Sequence, residues 1–388
     1  MMIDKIAFLL HDPGMLNHYH SIWRAMDSSS FNIVTTKNFY VDASGKKMPG
    51  VDDFTEIVNS EKYDVKTMEE LINRGIVYKY VVTNHVIAGN TTHKVRESHG
   101  IKFKKYINRV ASTVKINPIW KFDVDINTFM PLQIGGKQIR FMYGADISDG
   151  WSLQAWNDAY DIFLCHGIND EKALKSRFKG DTFVMGYPRY DRFYDENINL
   201  INIKNELKID EAKLTLLWMP TLGGEYSSIP IFAEPLSTLV IKYNVIVRPH
   251  PISFVQEPEF IQLLEKYNFT IDRNVLRDMN ELFSVADVVL PDYGGTPFSA
   301  IFLGKNIIFL DVPGGDAADI NNGSSVLEIK WQFPVITHEE VEKIDELVAS
   351  KSFYIENNKC VNDLFVKYFN SPRGGGAMRV ANYFKSLL

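Results

Sequence analysis

The residues from Asp287 to Asp311 read DVVLPDYGGTPFSAIFLGKNIIFLD. The apolar, β-branched run at Val288, Val289 and Leu290 predicts a buried strand that Asp292 closes. Gly294 and Gly295 let the backbone approach a ligand closely. Thr296 is placed to cap a helix whose first turn holds Pro297, and Gly304 is a natural stop. Asn306 to Leu310 is a second strand. A strand, a helix and a strand in such short order make a parallel pair with a crossover helix. A glycine pair between a strand and a helix N-terminus also offers backbone N–H groups and the helix dipole to an anion, and a diphosphate fits that description. The plain alternative is a tight turn followed by an ordinary cap.

The alternation extends in both directions. LTLLWMPT (214–221) and NVIVRPHP (244–251) are predicted strands, with a helix near 234–243 between them. PEFIQLLEKY, MNELFSVA and HEEVEKIDELVAS are predicted helices. Earlier in the chain, KIAFLL, FNIVTT, KYVVTN, KQIRFMYG and YDIFLCHG are strands, several ending in glycine or a turn residue. NDEKALKSRF is a helix with Asn169 or Asp170 near its cap. Turn residues and charges in GYPRYDRFYDENINLIN interrupt the apolar runs. The expected organisation is a Rossmann-like acceptor-side domain over 1–186 and a Rossmann-like donor-binding domain over 187–372. A C-terminal helix in 373–388 is expected to pack back on the first domain. The fold class is α/β, with two such domains facing each other across a deep cleft. That layout is similar to the GT-B transferases and the non-hydrolysing sugar-nucleotide epimerases.

The 388 residues fit two domains better than one. A net charge of −6 argues against general affinity for nucleic acid, so phosphate binding must come from local groups. The two cysteines, Cys165 and Cys360, form no disulfide or metal spacing, and Asp123-Val124-Asp125 is too short to argue for metal. No metal or cofactor is expected. The apolar run Ile6 to Leu10 is too short for a signal peptide, and no run approaches a membrane span. A cytoplasmic protein is the expectation. The basic stretch KVRESHGIKFKK (94–105) reads as a solvated helix face, the alternative being contact with anionic lipid or polymer at the inner face of the membrane.

Four strand ends in the second half carry the candidate donor site: Thr221, then Arg248 and His250 with Pro251, then Asp292, Gly294, Gly295, Thr296 and Ser299, then Asp311, Gly314 and Gly315. Prolines hold the backbone around Arg248 and His250 stiff. Arginine grips phosphate with a forked, charge-assisted pair, and histidine donates or carries a proton. The first half offers weaker candidates for a base: His11 after the first strand, Tyr143, Asp146 and Asp149 after another, and His166 after a third.

The ordered series GYPRYDRFYD, LTLLWMPT, YNVIVRPHP and MNELFSVADVVLPDYGGTPFSAIFLGKNIIF resembles the CDP-glycerol glycerophosphotransferase family of teichoic-acid and capsule synthesis, as a divergent member. The resemblance implies a GT-B enzyme that moves a polyol phosphate from a cytidine diphosphate carrier to a hydroxyl of a polymer or lipid-linked acceptor. The family's His-Pro falls on His250 and Pro251, a donor-phosphate and catalytic position. Its Asp-Tyr-Ser-Ser falls on Asp292, Tyr293, Gly294 and Gly295. Its Ala-Pro-Thr falls on Met219, Pro220 and Thr221. Both serines are glycines here, so backbone N–H groups, Thr296 and Ser299 are expected to replace them. The family's His-Gly falls on Tyr143 and Gly144. A tyrosine is a poor base at neutral pH, so Asp146, Asp149, His11 or His166 is expected to take that role. Two rivals stand beside this reading. One is a UDP-sugar-dependent glycosyltransferase or 2-epimerase, since the glycine pair is similar to the epimerase Ser-Gly-Gly loop. The other is a nucleotide-sugar-binding subunit without a base.

Overall fold

The computed structural model describes residues 2–41, 45–84, 106–107, 110–111, 114, 131–142, 144, 157, 159–175, 178–195, 198–317 and 326–388. The chain divides into two compact units, Met1–Tyr143 with Ser152–Arg189 and Gly375–Leu388, and Gly144–Trp151 with Tyr190–Gly374.

The first unit is built on a parallel sheet of seven strands: β1 (Met2–Leu10), β2 (Phe31–Thr35), β3 (Val65–Thr67), β4 (Val77–Thr83), β5 (Gly135–Phe141), β6 (Ile162–Cys165) and β7 (Asp181–Val184). Their order is β3-β2-β1-β4-β5-β6-β7. Ile6 lies opposite Phe31 and Tyr80 in neighbouring strands. Ile6 to Leu10 of β1 and the whole of β2 are buried on both faces, as in a parallel sheet covered on both sides. One face packs Ala7, Leu9, Val34 and Val81 against Met68 and Leu71 of the helix Met68–Asn73. On the other, Phe8 meets Tyr19 and Trp23 of the helix Leu16–Ala25 edge-on. The helix Gly376–Leu387 belongs to this unit. Its Phe384 ring lies 5.9 Å from that of Phe8, and Tyr383 stacks on Phe183 at 4.1 Å.

The second unit has a parallel sheet of five strands in the order β10-β9-β8-β11-β12. These are β8 (Thr215–Met219), β9 (Asn244–Val247), β10 (Thr270–Ile271), β11 (Val288–Pro291) and β12 (Asn306–Ile307). Ile308 continues the run by donating its N–H to Val289 O, and β13 (Phe309–Leu310) then pairs with β14 (Val335–Ile336). Numbered from β8, the order of the five strands is 3-2-1-4-5. In such sheets, ligands bind outside the carboxyl ends where the order reverses, here between β8 and β11. Leu216, Trp218, Val245, Val247, Val288 and Leu290 form the strand side of the core, with Ile229, Phe232 and Leu236 of the helix Ile229–Ser237 above them.

Some elements differ from the sequence reading. The helix expected near 234–243 begins at Ile229 and passes into a 3-10 turn at Thr238–Ile241. Thr296 is the first residue of the helix Thr296–Leu303 rather than its cap. Gly295 is the cap, and no side chain bonds there. The 18-residue helix Lys351–Tyr368 was not foreseen. Its Asn357 docks it to the sheet by accepting from Ile307 N–H at 3.0 Å and donating to Ile307 O at 2.8 Å.

Candidate functional site

The site is built around Asp292. The residue follows β11 and is fully buried. Its carboxylate accepts N–H groups from Thr221 at 2.9 Å, Ser228 at 3.0 Å and Tyr293 at 2.7 Å. Thr221 and Ser228 lie in the loop after β8, so one side chain staples the ends of the two strands that flank the order reversal. Burial pushes this carboxyl above its ordinary range, and the N–H donors oppose that shift. Asp292 is thus an organiser of the site, with its acceptor capacity turned inward.

The staple fixes the turn that follows. Gly294 has φ +75°, a conformation that favours glycine. Gly295 has φ −82°, and a Cβ there would meet nothing within 4 Å. Neither backbone conformation nor crowding calls for glycine at 295. The N–H groups of this turn precede the helix's own ladder, in which Ser299 N–H donates to Gly295 O. Gly294 and Gly295 are partly exposed residues, and N–H groups at the positive end of a helix are a place for negative charge. Thr296 is partly exposed beside them. Ser299 is not available in the same way. It is 5% exposed, and its hydroxyl donates to Gly295 O at 3.3 Å. The expected contact of Ser299 with phosphate is corrected to a bond within the helix.

Arg248 is also corrected. It stands at the end of β9 as expected, but it is 4% exposed. Its guanidinium donates to the Asp272 carboxylate at 3.0 Å, Asn274 O at 2.6 Å and Val275 O at 3.2 Å. Asp272 is shared with Arg277, at 2.7 Å, and Arg277 also pairs with Glu206 and Glu281. These ion pairs anchor the strand end from which His250 projects. His250 is partly exposed and its Nδ1 accepts from Ile252 N–H at 3.2 Å, which leaves the proton of the neutral ring on Nε2. Pro251 is exposed beside it. β9 and β11 flank β8, so their ends lie about 10 Å apart.

The sequence reading missed two supports. Glu257, 7% exposed, accepts from Gly224 N–H at 2.7 Å and Gly223 N–H at 3.3 Å, and Ser253 Oγ donates to its second oxygen at 2.7 Å. It ties the loop after β8 to the segment after β9. Lys330 is fully buried and bonds Asp311 and Asp316, each at 2.6 Å. The first glutamate of VQEPEF and the lysine of LEIKW carry no motif, and only the fold brings them to the strand ends.

In the first unit, His11 is partly exposed, and its Nε2 lies 2.9 Å from the Asp12 carboxylate. Burial raises the Asp12 carboxyl, but its hydrogen bond and charge interaction with His11 and the N–H groups of Gly14 and Met15 outweigh it, and the net shift is downward. His166 is fully buried, its Nδ1 lies 3.0 Å from Gly186 O, and the Tyr187 ring covers it at 4.0 Å. Burial pushes its pKa down to about 4. A sealed imidazole of that basicity does not reach a substrate hydroxyl, so the expectation of His166 as a base is corrected. His18 sits beside Arg189 at 3.4 Å and is held well below its ordinary range by burial and by that charge. Tyr143, Asp146 and Asp149 lie outside the described residues, as do Asp123, Asp125 and the basic stretch 94–105. Among the described residues no cluster of three or more His, Cys, Asp or Glu side chains could hold a metal, and no helix is long and apolar enough to cross a membrane.

Two parallel-sheet units, with a stapled turn and helix N-terminus at the order reversal of the second, define a GT-B-like protein. The wall teichoic acid polymerase TagF has this fold, with a TM-score of 0.64 and 14% identity over 99% of this chain and 89% of that one. Anabaena HepE, in complex with UDP and glucose, matches with a TM-score of 0.54 and 12% identity over 99% of this chain and all of that one. In sequence, residues 134–383 match the family described as CDP-glycerol:poly(glycerophosphate) glycerophosphotransferase, and the chain belongs to that family. The teichoic acid poly(glycerol phosphate) polymerase of Bacillus spizizenii is 29% identical over 163 residues, 39% of this chain. The match spans 40% of that relative's length.

Proposed function

We propose that the protein transfers glycerol phosphate from CDP-glycerol to a hydroxyl of a poly(glycerol phosphate) acceptor in cell-surface polymer assembly. The acceptor oxygen attacks the phosphorus that carries glycerol, the P–O bond to CMP breaks, and CMP leaves with the bonding pair. The attacking hydroxyl gives its proton to a base. Family membership supports the reaction class. The observation that carries the donor site is the turn Gly294–Gly295–Thr296, stapled by Asp292 and open at Gly295. Its N–H groups and the helix dipole would meet the donor's diphosphate, and the Nε2–H of His250 would meet the oxygen on which charge grows as CMP departs. Arg248 would act by fixing the backbone that presents His250. Of the described base candidates in the first unit, His11 with Asp12 keeps solvent access, and we assign it the role of base, with Asp146 and Asp149 as the alternatives.

The test is calorimetric binding of CDP-glycerol and UDP-glucose to the wild type and to two variants at one position. Gly295→Asp puts a carboxylate at a helix cap, where it favours the helix, so melting should not fall. The same charge repels a diphosphate, and CDP-glycerol affinity should drop at least about tenfold, the scale of one lost charged contact. Gly295→Ser, which has a donor hydroxyl there, should keep binding. Equal affinity of the aspartate variant and the wild type would remove the diphosphate from this turn. Binding of UDP-glucose in preference to CDP-glycerol would replace the donor.

A further inference from the structure

Lys330 lies at the end of the short helix Leu327–Lys330 with none of its surface exposed. An ammonium is rarely sealed in this way unless it is paired. Its partners are Asp311 just after β13, Asp316 in the helical turn that follows, and the hydroxyl of Tyr293 at 3.3 Å. The ammonium also sits 5.0 Å from the centre of the Tyr293 ring. Tyr293 in turn donates to Asp316 at 2.9 Å. Its ring is pressed so close to Gly315 that a Cβ there would fall 2.4 Å from it.

Tyr293 is the residue between the Asp292 staple and the open turn. Its backbone N–H donates to the Asp292 carboxylate, which also holds the loop after β8. Its side chain is fixed by Lys330 and Asp316 on the β13 side. The two carboxylates are 31% and 37% exposed, so they would present two negative charges beside a phosphate site if the lysine were absent. We infer that Lys330 is a positioning residue for the donor diphosphate: it locks Tyr293, and so the Gly294–Gly295 turn, and it offsets the charge of Asp311 and Asp316 next to that turn. This rests on the reading of the turn as the diphosphate site. It adds a device that the strand-end motifs do not contain.

The test compares Lys330→Met, Lys330→Arg and Tyr293→Phe with the triple variant Lys330→Met, Asp311→Asn, Asp316→Asn, by calorimetry with CDP-glycerol and by thermal melting. Lys330→Met should weaken CDP-glycerol binding at least about tenfold, since it leaves the charges of Asp311 and Asp316 unopposed and releases the ring. In turnover the loss should appear in the KM for CDP-glycerol more than in kcat. Tyr293→Phe keeps the ring and loses one hydroxyl, so it should weaken binding by a few-fold without unfolding. Lys330→Arg should retain part of the affinity. The triple variant, which has no charge left to offset, should bind more tightly than Lys330→Met. If the methionine variant does not fold, Tyr293→Phe and the triple variant carry the test. Wild-type affinity in Tyr293→Phe together with no recovery in the triple variant would reduce Lys330 to a packing role and overturn the inference. If the wild type itself binds no CDP-glycerol, the diphosphate reading fails first and the inference falls with it.

Discussion

Asp292 accepts from three backbone N–H groups at the junction of two strands, and an amide cannot copy that. Asp292→Asn turns an NH2 toward N–H donors and leaves at least one of them buried without an acceptor. A loss of about 2–3 kcal/mol is expected in denaturant unfolding, together with loss of donor binding. Gly294→Ala should cost about 1–2 kcal/mol, because alanine must adopt φ +75° there. His166 gives a test in pH. Its folded pKa near 4 lies below its ordinary 6.5, so the unfolded chain takes up the proton first as pH falls. The stability it contributes is complete above 6.5 and is lost on the way down to 4, about 3 kcal/mol in all. His18 is shifted in the same direction and steepens the loss. His166→Asn, which preserves a donor toward Gly186 O, should flatten unfolding free energy between those pH values, and an unchanged slope would assign the titration elsewhere. The strand-end position of Arg248 was legible from its neighbours. Its partner was not, because Asp272 lies in a different strand end and nothing in RPHP announces it.

The elements that hold the site were easier to read than the contacts between them. The run from Val288 to Leu310 shows strand, turn, helix and strand because β-branched residues, the pair Gly294–Gly295, Pro297 and the stop at Gly304 follow in the order that backbone geometry demands. The helix Lys351–Tyr368 was overlooked although Phe353, Val361 and Leu364 recur on its buried side. Polar Asn357 interrupts that stripe, and its role appears only once it is seen to close the backbone of β12. Asn357→Ala should leave one buried N–H and one buried C=O of Ile307 unpaired and lower stability by roughly 3 kcal/mol. Urea unfolding will measure it, and a change under 0.5 kcal/mol, an ordinary surface value, would mean that water replaces the amide.

The family match begins at residue 134, so β1 to β4 were readable from hydrophobic pattern alone, while the second unit was readable from pattern and motif together. The difference is physical. A buried parallel strand asks only for apolar, β-branched side chains, whereas a phosphate turn asks for particular residues in order. Hydrogen exchange with CDP-glycerol bound should show protection in 219–228, 248–257 and 292–299, the loops after β8, β9 and β11. No protection in the last of these would move the donor off the second unit.

Phe384 closes an aromatic cluster that begins with Phe8. During synthesis the first strand leaves the ribosome long before that helix exists, and the whole second unit is made in between. The first unit must therefore wait, with part of its core uncovered, while the second folds. Contacts so distant in sequence also make its final closure slow. Phe384→Ala, which loosens that closure, should make the first unit protease-sensitive and leave the second one protected, so the helix Gly376–Leu387 acts as a clasp on the order of assembly.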